Sequence, residues 1–114
     1  MEASLEGPQD ERIIRAAESV IDEAVEFTRE LIRIPTVNPP GDEQLGAEHL
    51  AALLAKDGIE AEVLPLPDAP GRANLIARLP AAAPTGAGAL CLVSHLDVVT
   101  AEPERWPAGR GPFE

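Results

Sequence analysis

ALCLVSHLDVV, Ala89 to Val99, is the stretch whose reading decides the fold. It is a nearly continuous apolar run, the composition of a strand covered on both faces. One histidine and one aspartate, two positions apart, interrupt it. Side chains alternate across a strand, so Val93, His95, Asp97 and Val99 would share one face while Ser94, Leu96 and Val98 share the other. At about 3.3 Å of rise per residue, the Cα atoms of His95 and Asp97 stand about 6.6 Å apart, close enough for a carboxylate to reach an imidazole N–H. Such a contact fixes the ring tautomer and leaves the second ring nitrogen free for a metal. A charged pair inside an apolar run is costly unless something compensates it, and a divalent cation does so. In open α/β sheets the ligand crevice lies beyond the carboxyl ends of the strands, which is where Asp97 gives way to the turn-rich Thr100 to Gly111. By itself His-x-Asp carries little information, since a strand-end aspartate often serves only as a turn former. The flanking sequence decides.

Upstream, ANLIARL, Ala73 to Leu79, predicts a strand, and IEAEVL, Ile59 to Leu64, alternates as a half-buried strand does, with the turn-rich PLPDAPG between them. Small, loop-forming residues from Pro80 to Gly88 lead into the Ala89 run. Before these strands, Asp42 is placed to cap a helix with the apolar face Leu45, Ala47, Leu50, Leu53 and Leu54, which Gly58 ends. The loop Pro35-Thr-Val-Asn-Pro-Pro-Gly41 has too few backbone donors for regular structure. From Glu11 onward Ile14, Ala17, Ile21, Ala24, Val25, Leu31 and Ile32 recur at three- and four-residue steps, predicting one amphipathic helix that ends near Ile34 because Pro35 follows. Met1 to Asp10 read as a loose tail ahead of a single domain over residues 11–114. The order helix, helix, strand, strand, strand predicts an α/β fold with helices packed on a mixed sheet. There is no internal repeat.

The chain of 114 residues is about one domain long, and its twenty acidic against nine basic side chains give a net charge of -11. That balance repels phosphate backbones and anionic membrane surfaces and argues against a nucleic-acid partner. The acidic start MEASLEGPQDERIIR lacks the basic and apolar regions of a secretion signal, and no run approaches the roughly 20 apolar residues of a membrane span. A cytoplasmic protein without membrane attachment is expected. Cys91 is the sole cysteine, so no intrachain disulfide forms, and it is expected to be a small buried apolar residue.

Taken with their flanks, these residues resemble the zinc-dependent exopeptidase and deacylase family of acetylornithine deacetylase, succinyl-diaminopimelate desuccinylase, carboxypeptidase G, aminoacylase and carboxypeptidase S. LIRIPTVNPPGDE, Leu31 to Glu43, resembles the family's N-terminal helix end and Pro-containing loop. AEHLAALLAKDGIEAEVL, Ala47 to Leu64, resembles the helix and strand that follow. SHLDVVTAEPERWPAGRGPFE, Ser94 to Glu114, resembles the first metal motif, with Trp106, Pro112 and Phe113 downstream. Thr100 stands where many members of the carboxypeptidase S and aminoacylase branch have proline.

The resemblance implies the N-terminal portion of an α/β/α sandwich catalytic domain, with two zinc ions per complete enzyme, plus a smaller inserted domain used for homodimerisation. It matches His95 to a zinc-ligating histidine and Asp97 to the aspartate that orients it. Cobalt and manganese also suit a lone imidazole. The implied activity is that of a metallopeptidase or amidohydrolase, cleaving the amide of an N-acyl amino acid or small peptide. The family's bridging aspartate, general-base glutamate and remaining ligands belong to stretches beyond Glu114, and a catalytic zinc normally takes three protein ligands. The 114-residue chain alone is therefore expected to be inactive, as the N-terminal part of a larger enzyme.

Local substitutes are poor. Cys91 lies about 13 Å along a strand from His95, His49 on its helix lacks ligand spacing, and Glu102 and Glu104 beside Pro103 read as a solvated loop. The alternative is a non-catalytic α/β module, or a binding partner, that holds no metal. A flavodoxin-like domain ranks last, for want of a Gly-rich phosphate loop after a strand.

Overall fold

The computed structural model describes residues 7–82, 86 and 88–114, and the chain divides into two compact units, Met1–Arg33 and Ile34–Glu114. The first holds α1 (Pro8–Ser19) and α2 (Ile21–Ile32). The second holds α3 (Glu43–Lys56), β1 (Ala61–Pro65), β2 (Ala73–Ala77) and a short 3-10 turn at Pro103–Arg105. At the coarse level this is the mixed α/β composition expected, but among the described residues with three helices and two strands in place of two and three.

In the first unit, α1 starts inside the expected tail. Pro8 occupies the first helical position, where a missing N–H costs nothing, and the Asp10 carboxylate accepts the Gly7 amide at 3.0 Å. Residues 1–6 of that tail lie outside the described residues. The continuous helix expected from Glu11 to Ile34 is interrupted at Val20, and the local cause is visible. The Ser19 hydroxyl donates to the Ala16 carbonyl at 2.8 Å, and the Val20 amide turns to Ala17 at 3.3 Å, tightening the last turn. Asp22 and Glu23 then sit in the first turn of α2, where acidic side chains favour a new helix start. No residue of either helix is buried.

The second unit is built on an antiparallel pair, with Ala61 opposite Ala77, Val63 opposite Leu75 and Pro65 opposite Ala73. Helix α3 packs on both strands, and the buried apolar side chains are Ala47, Leu53 and Ala73. The α3 face toward this core is Glu43, Gly46, Ala47 and Leu53, which follows helical spacing. Leu45, expected on the core face, is 52 % exposed; two positions from Ala47, it falls on the other side of the helix.

The C-terminal stop of α3 is as expected. Gly58 has φ 71, its amide reaches Ala55 and the Ile59 amide reaches Leu54, at 3.1 and 3.0 Å. These are the paired bonds of a glycine-terminated helix.

The third strand expected over Ala89 to Val99 is not formed. The run has no regular structure, and its one ladder contact among the described residues is an isolated parallel bridge between Val37 and Val98. Leu90, Leu92, Val93 and Val99 are exposed, as is Cys91, which was expected to be buried. A strand needs a partner, and among the described residues β2 pairs with β1 alone. Residues 83–85 and 87 of the loop ahead of the run lie outside the described residues. No described helix is long and apolar enough to cross a membrane.

Candidate functional site

The site begins with the Pro-containing loop. Backbone bonds run from Val98 N–H to Thr36 O (2.9 Å) and from Asn38 N–H to Val98 O (2.8 Å), and the Thr36 hydroxyl donates to Leu96 O at 2.6 Å. Thr36 is buried. This clasp fixes the chain on both sides of Asp97 although its halves lie about sixty positions apart. The Asn38–Pro39 and Pro39–Pro40 peptides are cis, and the loop closes with the Gly41 amide on Val37 O at 2.8 Å.

Around Asp97 the clasp assembles a polar chain. Asn38 Nδ2 donates to Asp97 Oδ2 at 2.9 Å, and Asp97 Oδ1 stands 3.1 Å from His95 Nδ1. His95 Nδ1 also lies 2.8 Å from the Asp97 carbonyl oxygen. Both oxygens can only accept, so the neutral ring carries its proton on Nδ1 and its lone pair on Nε2. The contact read from the sequence is therefore present, outside any paired strand. The His95 side chain is 84 % exposed and that of Asp97 28 %. Hydrogen bonds from Asn38 and then from His95 hold the Asp97 carboxyl below its ordinary value, against partial desolvation.

Beyond Asp97 lies a second, more buried pair. Arg72 Nε and Nη2 donate to Glu43 Oε1 at 2.9 and 2.6 Å, and Arg72 Nη2 is 3.9 Å from Asp97 Oδ2. Glu43 is buried, and its Oε2 accepts no hydrogen bond from any described residue. The Arg72 hydrogen bond holds the Glu43 carboxyl below its ordinary value, outweighing the opposite push of burial, and Glu43 raises Arg72 in return.

Two left-handed glycines make this approach possible. At Gly41 (φ +91) a Cβ would stand 2.8 Å from Glu43 Oε2 and 3.0 Å from Arg72 Nε; at Gly71 (φ +84) it would meet the Gly41 carbonyl at 3.0 Å. The Gly71 carbonyl accepts the Gln44 amide at 3.0 Å, satisfying one free donor in the first turn of α3. Asp42 occupies the helix-cap position expected of it, but its side chain makes no capping bond.

Sequence reasoning named His95 and Asp97 but passed over Asn38, Glu43 and Arg72. NPPGDE and PGR offered turn and cap signals only, and nothing in their spacing says that two loops about thirty positions apart meet across a salt bridge. His49 is half-buried on α3, while Glu102 and Glu104 are exposed, Glu102 lying 3.4 Å from Arg105. Among the described residues no three His, Cys, Asp or Glu side chains converge as a metal-binding group.

Compared with protein-family models, with curated proteins and with solved structures, the chain finds no match in any of the three.

Proposed function

We propose that this chain is the N-terminal part of a zinc-dependent metallohydrolase that cleaves the amide or peptide bond of N-acyl amino acids or small peptides, with His95 as one metal ligand and Asp97 as its orienting partner. The observation that carries the reading is the double anchoring of His95 Nδ1 on the Asp97 carboxylate and carbonyl, which leaves Nε2 as an exposed donor. One imidazole is what the described residues supply, so the remaining ligands and the general base would come from other parts of the protein. On this reading the two strands and α3 are the first piece of an α/β/α sandwich, and a further inserted domain would pair two copies. When bound, zinc supplies Lewis-acid polarisation and a water acidic enough to serve as nucleophile. The chain's own residues contribute the ligand, with its ring held by Asp97.

Metal content and amidase activity of the protein carrying the family's further ligands test this. About two zinc ions per chain, with both zinc content and activity lowered in His95→Ala, support it. Unchanged zinc content and activity in that variant, or a wild-type protein with no metal affinity, favour the non-catalytic module.

A further inference from the structure

Both oxygens that face the His95 ring are set by the Thr36–Asn38 stretch. A trans peptide points its N–H and C=O in opposite directions. The bond from Val98 N–H to Thr36 O therefore turns the Asp97 carbonyl the other way, where His95 Nδ1 lies 2.8 Å from it. The carboxylate is set separately. Asn38 Nδ2 occupies Asp97 Oδ2 at 2.9 Å and leaves Oδ1 for the ring at 3.1 Å. His95 is itself 84 % exposed while Asn38 is half-buried, so the ring takes its orientation from the loop rather than from its own packing.

Without the Asn38 amide the carboxylate has an alternative. Arg72 Nη2 stands 3.9 Å from Oδ2 and is held in place by Glu43. A carboxylate released by Asn38 would be free to turn toward that guanidinium, which would leave the ring the neutral carbonyl as acceptor, the weaker of its two partners.

We propose that Asn38 is a positioning residue for His95: by holding the Asp97 carboxylate toward Nδ1 it keeps the ring proton there and Nε2 available as a donor. The inference deepens the metal reading, on which the use of Nε2 rests, but it is measured in metal-free protein. Long-range proton–nitrogen NMR correlation of the imidazoles in the full chain reports the tautomer ratio, with the His49 signals assigned by His49→Asn.

Wild type is expected in the Nδ1–H form. Asn38→Ala, and Asn38→Asp at nearly the same volume, lower the ratio of Nδ1–H to Nε2–H by roughly threefold or more, the low end of the net contribution of one hydrogen bond, as suits an exposed ring. Thr36→Val removes the hydroxyl bond to Leu96 but keeps the Asn38 amide, and leaves the ratio in place. Backbone amide signals of α3, β1 and β2 show whether each variant is folded. An unchanged ratio in folded Asn38 variants overturns the proposal. So does an equal change in Thr36→Val, or collapse of both Asn38 variants, since Asn38 would then hold the fold and not the ring. A tautomer that depends on Asn38 in a protein without zinc affinity keeps the positioning role and removes the metal reading.

Discussion

Replacing Glu43 by glutamine tests the buried end of the polar chain. The substitution keeps volume and removes charge. Two donors of Arg72 converge on Oε1, and a hydrogen bond to a charged group contributes about 1.5–3 kcal/mol. Three features reduce the net effect: both bonds share one acceptor, the Arg72 side chain is 38 % exposed, and a glutamine oxygen still accepts. The new NH2 group takes the place of Oε2, which accepts no hydrogen bond from any described residue, so no existing bond is lost there. The expected loss for Glu43→Gln is about 1–2 kcal/mol at pH 7 after discounting for solvent screening, or several degrees in Tm at roughly 4–8 °C per kcal/mol for a unit of this size.

The sign of the pH dependence follows from the lowered Glu43 value. A carboxyl depressed on folding contributes stability that is full above its unfolded value, about 4.3, and is lost as pH falls through the folded value. The difference between wild type and Glu43→Gln in urea unfolding should therefore be constant near neutrality and shrink below about pH 4. The other acidic groups titrate in both proteins and largely cancel. A difference near zero at pH 7, or one that persists undiminished into strong acid, refutes the reasoning.

Gly58→Ala places a side chain at φ 71 with open space around it, so only backbone strain counts, and urea unfolding should show a loss of about 1 kcal/mol. Thr36→Val removes the buried hydroxyl that donates to Leu96 O; the unpaired carbonyl predicts a loss of about 1–2 kcal/mol, read as a shifted urea midpoint at constant slope. Leu53→Ala opens the core under α3 and should cost about 2–5 kcal/mol, whereas Leu45→Ala, at 52 % exposure, should stay within about 0.5 kcal/mol. Equal losses at the two leucines would restore the helix face read from the sequence.

The sequence by itself determined the elements whose causes are local. Gly58 ends α3 because a left-handed residue lets two amides fold back onto the helix. The turn-rich PLPDAPG separates two strand-forming segments, while their antiparallel pairing with Val63 opposite Leu75 comes from the structure. His95 and Asp97 meet because two residues of extended chain separate their side chains by a reachable distance. Even the break at Val20 has a local cause in the Ser19 hydroxyl, although the apolar stripe runs through it and hides the signal. What only the tertiary structure decided is whatever needs a partner distant in sequence. An apolar run such as Ala89 to Val99 has the composition of a covered strand, but a ladder needs donors and acceptors from another segment, and here the Thr36 carbonyl and the Asn38 amide, flanking Val37, reach Val98 alone. The same holds for Asn38 on Asp97 and Arg72 on Glu43. Each residue reads locally as a turn, cap or strand-start residue, and only loop closure across the fold turns them into one hydrogen-bonded chain behind His95.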